Sequence, residues 1–258
     1  MRKATHMRFG IPIILKHKNP SNDPITINID YDAKLLSLIK LGISKTNPSV
    51  FKELYEKPTQ KLFATSVYFP EATFLKDKIV LNQEGKLILF FSVVDVGLGL
   101  SFYNAFIYLH HLQLNKNSKH LTFGPDLVAE VWKLYSIEVP SITKDQVMFK
   151  TMSPIILRND EGRFISCEKE SDIEDFNKAL IRNTITKLAA HPELVHYAQK
   201  LKFIPVRTRK TIRKSYGMMI EAKKGTFELI GNPALLSFLL ECGIGEKTGS
   251  FSGMMSVI

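Results

Sequence analysis

The segment Gly243-Ile244-Gly245-Glu246-Lys247-Thr248-Gly249-Ser250-Phe251-Ser252-Gly253 combines four glycines with one lysine. Glycine leaves backbone N–H groups without side-chain cover, and such groups can cradle phosphate oxygens. Lys247 would add a cation and Thr248 a hydroxyl. The pattern is not that of a nucleotide-binding P-loop. Glu246 stands where the glycine before the lysine is required, and the loop follows a helical run at 233–241 and precedes a strand-like tail at 254–258, the reverse of strand, loop, helix. A purely structural glycine turn is the competing reading.

A second concentration of chemistry lies at 200–214. Seven of these fifteen residues are cationic: Lys200, Lys202, Arg207, Arg209, Lys210, Arg213 and Lys214. Apolar residues interleave with them. Such a run can lay charge along a phosphate backbone, with binding that weakens steeply as salt rises. An exposed edge strand guarded against aggregation by Lys and Arg has the same composition. The glycine loop in the same half favours nucleic acid.

The whole chain points the same way. Its formal charge of +10 suits a polyanionic partner, either nucleic acid or an anionic membrane surface, with a solvated lysine-rich surface as the plain alternative. The two cysteines, Cys167 and Cys242, lack C-x-x-C spacing, so no structural zinc site is expected and a reducing, cytoplasmic setting is. No cofactor or metal is expected. Apolar runs are too short for a membrane span. The early apolar stretch at 11–15 is interrupted by Pro12, so no signal peptide is expected, and residues 1–6 read as an extension before Met7.

The elements that must position these groups follow from periodicity. In the first half, a strand at 7–15 leads through a polar, proline-bearing loop at 16–24 to a helix at 31–44. Leu35, Leu36, Leu38, Ile39 and Ile43 recur there at helical spacing, with Asp30 or Asp32 as cap and Gly42 or Asn47-Pro48 as its end. A short helix at 48–55 follows. Strands are expected at 61–69 and, after a turn at 83–85, at 86–94. A helix at 95–112, a polar loop at 115–119 and an alternating strand at 127–137, with Trp132 in the core, complete the half. After a linker at 140–145 the order returns. A strand at 146–158 is interrupted by Ser153-Pro154, and a turn at 159–162 leads to a short strand at 163–166. The helix at 171–190 opens on a Ser171-Asp172 cap and aligns Ile173, Phe176, Leu180, Thr184 and Leu188 on one face. Then come the basic strand, a hairpin of 218–222 and 226–230 turning at Lys223-Lys224-Gly225, and the closing helix, loop and strand. Strand, helix, strand, strand, helix, strand occurs twice. The expected class is α+β, two tandem ferredoxin-like βαββαβ domains at 7–139 and 146–258. The repeat lies in element order alone.

Three stretches in this order carry a resemblance: Asn47-Pro48 followed by Lys61-Leu62-Phe63-Ala64-Thr65-Ser66, then Thr151-Met152-Ser153-Pro154-Ile155, then the glycine-rich tail ending in Gly253-Met254. Together they resemble the CRISPR-associated endoribonucleases of the RAMP superfamily, which cut repeat RNA into guide units. The resemblance implies two ferredoxin-like domains that bind the repeat of a precursor transcript. It also implies metal-independent cleavage, in which a ribose 2′-hydroxyl attacks the neighbouring phosphate and leaves a 2′,3′-cyclic phosphate and a 5′-hydroxyl. Other CRISPR-associated effector subunits and a second copy of the chain are candidate partners. Gly243, Gly245, Lys247, Gly249, Ser250 and Gly253, with Arg207, Arg209, Lys210 and Arg213, become the expected RNA contacts.

Such a reaction needs a base, a cation for the crowded phosphate and an acid for the leaving oxygen. Here the chain departs from the family. The column that usually holds a histidine falls on Tyr55, a helix tyrosine column falls on Lys40, and the lysine opening the strand is kept as Lys61. A phenol with its ordinary pKa near 10 is a poor base at pH 7, though it can donate or orient. Lys40 and Lys61 can stabilise phosphorane charge. His17 is the nearest histidine in sequence and the candidate general base or acid, while Tyr31 reads as a packing residue. The adjacent His110 and His111 face different ways on a helix and do not form a metal pair. Two alternatives to the enzyme stay open: a relative that binds repeat RNA without cutting it, and a structural subunit of a CRISPR ribonucleoprotein.

Overall fold

The computed structural model describes residues 7–114, 121–168 and 170–258. The extension at 1–6, the loop at 115–119 and the Ser171 side chain lie outside the described residues. In the first half the elements are β1 (Met7–His17), α1 (Asp32–Thr46), α2 (Pro48–Tyr55), β2 (Phe63–Tyr68), β3 (Lys86–Val93), α3 (Val96–Leu114) and β4 (Leu127–Val131). The sheet runs β4-β1-β3-β2 with antiparallel neighbours. In the second half they are β5 (Gln146–Thr151), α4 (Glu170–Lys187), β6 (Lys202–Ser215), β7 (Met218–Ile230), α5 (Pro233–Cys242) and β8 (Met255–Val257), in the order β8-β5-β7-β6. Both halves thus have the same ferredoxin-like path, in which the first and second strands flank the third. A small sheet of Thr26–Asn28, Lys78–Val80 and Thr73–Phe74 is added to the first half.

Each sheet buries one face under its helices. Ile11, Ile13, Leu87, Leu89, Phe91 and Phe102 centre one core, and Phe149, Phe176, Phe203, Phe227 and Leu239 the other. Gly42 lies inside α1, where an added Cβ would sit 2.9 Å from the Ala105 carbonyl oxygen. It allows α1 to approach α3 and does not end the helix. Asn47 caps α2 by accepting the Val50 N–H. Among the described residues no helix is long and apolar enough to cross a membrane.

Four expectations are corrected. The strand at 127–137 stops at Val131, because only Leu127, Ala129 and Val131 keep the inward alternation. Trp132 is 54% exposed and outside the core. The expected break at Ser153-Pro154 is present and separates β5 from a short strand at Leu157–Arg158. The α1 cap is Tyr31 without a side-chain bond, while Asp30 and Asp32 serve another element. The expected turn at Lys223-Lys224-Gly225 lies in the middle of β7. Gly225 faces the bulge between Pro205 and Arg207, where a Cβ would stand 2.1 Å from the Arg207 carbonyl oxygen. That glycine signals a close backbone approach. The real turn is Tyr216-Gly217, and the two strands form one long arm.

Candidate active site and nucleic-acid interface

The second half meets the first through the glycine-rich loop. α5 ends where Gly243 adopts a positive φ, and the chain then runs along β2. Thr65 accepts the Phe251 N–H at 2.8 Å and donates to the Thr248 carbonyl at 3.2 Å. Ser66 donates to the Met152 carbonyl at 2.7 Å, and Ser153 to the Thr65 carbonyl at 3.1 Å. Phe251, held in the left-handed region, inserts its ring into the core of the first half. The expectation of uncovered loop amides is corrected here. The N–H groups of Ile244, Glu246, Ser250, Phe251 and Gly253 are satisfied by protein oxygens, and Gly243, Gly245, Gly249 and Gly253 are buried. At Gly253, φ +66, a Cβ would lie 1.8 Å from the Ile244 carbonyl oxygen, so this glycine serves a tight joint. Lys247 and Ser250 stay half-buried at its rim.

That joint borders a cationic cluster. Lys40 from α1 and Lys61 from the segment before β2 place their ammonium groups 5.0 and 4.6 Å from the ring centre of Tyr55, the last residue of α2. Neither lysine is ion-paired among the described residues. An added Cβ at Gly249 would touch the Lys61 side chain at 3.1 Å, so only glycine lets the loop pass here. Burial, then repulsion by Lys40, lowers the pKa of Lys61. Burial, then the Tyr216 phenol, raises that of Tyr55, so the phenol keeps its proton. The Tyr55 hydroxyl is buried and has no hydrogen-bond partner. It is a donor without an acceptor beside two cations without anions. The arrangement suits an anion with several acceptor oxygens.

The structure therefore brings Lys40, Tyr55 and Lys61 together. It does not bring His17 to them. That residue ends β1, and its ring lies 3.0 Å from the Asp23 carbonyl in a separate pocket with Tyr31, Lys34 and Phe123. Since a carbonyl only accepts, Nε2 carries the proton there. Tyr31 packs edge-on against Phe69, and burial pushes its phenol up to about 12.

The basic strand divides in two. Arg213 is an internal tie, 2.6 Å from Asp32 Oδ1 and 2.9 Å from the Ser250 carbonyl, and it also reaches the Phe251 carbonyl. Its side chain is 10% exposed, so although it lines the groove between the halves, its guanidinium is already bonded within the protein. Lys210 pairs with Glu221 at 2.6 Å. Arg207 and Arg209 are exposed. Arg209 lines a groove of about 430 Å³ between the halves, whose walls include Lys214, Lys224, Ile212 and the rings of Tyr31, Phe69 and Phe74. Phe74 is 60% exposed. Lys214, Lys224 and Phe74 are the contacts that sequence reasoning missed in this groove. No periodic signal marks a ring that a small added sheet carries to the opposite half.

The chain thus consists of two ferredoxin-like units joined by a glycine-rich C-terminal loop. Residues 137–257 match the family model "CRISPR associated protein Cas6, C-terminal", so the second half of the chain is similar to the C-terminal part of that family. The fold is shared along nearly the full length with known structures. "An RAMP protein binding different RNA substrates" superposes with a TM-score of 0.76 at 19% identity, over 98% of this chain and 100% of the other. A Cas6-related protein from Pyrococcus furiosus gives 0.75 at 18%, over 98% of each chain. A Cas6 product complex gives 0.69 at 14%, over 98% and 100%. No curated protein matches by sequence.

Proposed function

We propose that this chain binds CRISPR repeat RNA and cleaves it at the Lys40–Tyr55–Lys61 cluster. The observation that carries the reading is the convergence of two ammonium groups, neither ion-paired among the described residues, on one tyrosine ring, 5.0 and 4.6 Å away, at the edge of the joint between the halves. A phosphate placed there meets the charge of Lys40 and a hydrogen bond from the Tyr55 hydroxyl. Both strengthen as the attacked phosphorus gathers negative charge. The neutral fraction of Lys61, enlarged by burial and by Lys40, takes the proton of the 2′-hydroxyl. The oxygen attacks in line, the bond to the 5′-oxygen breaks, and Tyr55 donates toward the leaving group. A 2′,3′-cyclic phosphate and a 5′-hydroxyl result. The interdomain groove with Arg209, Lys214 and Lys224 takes the flanking strand.

Labelled repeat RNA incubated with the protein in chelator tests this. The expected product ends in a cyclic phosphate. Lys61→Ala and Lys40→Ala each slow its formation by roughly 100-fold, the scale of one electrostatic donor to a transition state, and His17→Ala leaves it unchanged. The rate climbs with pH above neutrality as Lys61 loses its proton. Binding without product would select a second reading, a repeat-RNA-binding protein that does not cut. The absence of a histidine from the cluster favours that alternative.

A further inference from the structure

We propose that Tyr216, at the tip of the β6–β7 arm, stacks on the nucleobase beside the reactive phosphate and so positions that nucleotide. The proposal rests on the reading of the lysine–tyrosine cluster as the phosphate site. Its starting point is a backbone anomaly. The two-residue turn Tyr216-Gly217 has φ values of 51 and 75, the mirror-image geometry that favours Asn, Asp or Gly at its first position. A tyrosine there carries a Cβ in the left-handed region, which is unfavourable for any ordinary residue. The residue is 52% exposed, and among the described residues no other aromatic ring packs on it. An open, flat, apolar surface with a polar tip is what a nucleobase stacks upon.

The backbone that carries the ring is held still. The Asp30 carboxylate accepts the Tyr216 N–H at 2.9 Å and the Gly217 N–H at 2.7 Å. Asp32, the first residue of α1, accepts from Ser215 Oγ at 2.5 Å and from Arg213 at 2.6 Å. The tip of an arm from one half is thus clamped to a helix of the other, and little freedom is lost when a base binds. The location follows from the same clamp. Arg213 donates to the Ser250 carbonyl, and the preceding Gly249 lies against the Lys61 side chain, so the arm's end, the loop and the lysine cluster adjoin. The Tyr216 phenol acts electrostatically on that of Tyr55.

The test uses the full-length protein with Tyr216→Asn, which suits the turn, and Tyr216→Trp, which keeps a ring. Affinity is measured on labelled CRISPR repeat RNAs carrying one abasic nucleotide, scanned across the cut. On intact RNA, Tyr216→Asn binds roughly ten-fold more weakly, the scale of one lost base–aromatic stack, and Tyr216→Trp binds like wild type. One abasic position beside the cut costs the wild type the same ten-fold and costs Tyr216→Asn nothing more. A structural role predicts no such coupling, and Tyr216→Asn should melt at or above the wild-type temperature. Equal affinity of Tyr216→Asn and wild type on intact RNA, or additive losses at every abasic position, overturns the stacking. If the lysine substitutions abolish cutting while Tyr216 substitutions are silent, the stacking falls and the active site stands. If the lysine substitutions are silent too, both fall.

Discussion

At the residue scale, Tyr55 combines burial with two neighbouring cations. Each cation–ring contact is worth about 0.5–2 kcal/mol and is made by the neutral ring. Burial raises the pKa of the phenol, so it keeps its proton. The hydroxyl is then a buried donor without an acceptor, a state that disfavours the free protein by about 1–3 kcal/mol. Tyr55→Phe separates stability from function. It should raise the midpoint of denaturant unfolding, by the equivalent of about 1 kcal/mol, while lowering the single-turnover cleavage rate at least ten-fold. A cleavage rate equal to wild type would show that the hydroxyl takes no part. The sequence places tyrosine at this position, but the sign of its shift depends on how deeply α2 seats it.

At the scale of elements, α4 and the glycine loop are joined by a buried cation. Lys187, 2% exposed, donates to the Gly243 carbonyl at 2.7 Å. Burial lowers its pKa to about 8, with Cys242 and Glu246 acting in the opposite sense. In the unfolded chain it titrates near 10.5, so between about pH 8 and 10.5 the unfolded state holds the extra proton. Stability from this group therefore rises with pH across that window and is lost as pH falls through 8. Measured against Lys187→Met, the wild type should gain up to about 1.4 kcal/mol per pH unit there. Parallel profiles for the two proteins would mean that the lysine is solvated. The same element shows which loop features are legible. Four glycines and a lysine announce that backbone comes close to something. They do not announce whether the neighbour is a phosphate or, as at Gly253, another carbonyl of the same protein. The pattern of glycine is the same for either close approach.

For the whole molecule, the net charge of +10 is only partly available to a ligand. Arg213 bonds Asp32, Lys210 bonds Glu221, and Lys187 and Lys223 are buried. Arg207 and Arg209 are left exposed on the arm, with Arg209 at the groove between the halves. Substituting both by Ala should reduce the slope of log affinity against log salt by about 1–2 for RNA binding. Arg213→Ala should instead lower the melting temperature, because it leaves the buried Asp32 carboxylate without its cation. An unchanged slope in the double variant would move the RNA track elsewhere. The strand carrying these residues reads as a cationic stripe, yet Arg209 stays open at the groove while Arg213, further along the same face, is bonded internally. That division depends on where the other half of the protein lies.

By itself the sequence determined the order of elements, and with it the two ferredoxin-like units, because helical and strand periodicities are local properties of the chain. It also carried, through resemblance, the columns that converge as Lys40, Tyr55 and Lys61. Only the tertiary structure decided that His17 stands apart, that Arg213 is internal, that the glycine loop is a joint, and that Tyr216 reaches the opposite half. Each of these depends on contacts between residues as far apart as Asp32 and Arg213. Burial and pairing at that separation are set by packing of the two halves, which no local pattern encodes.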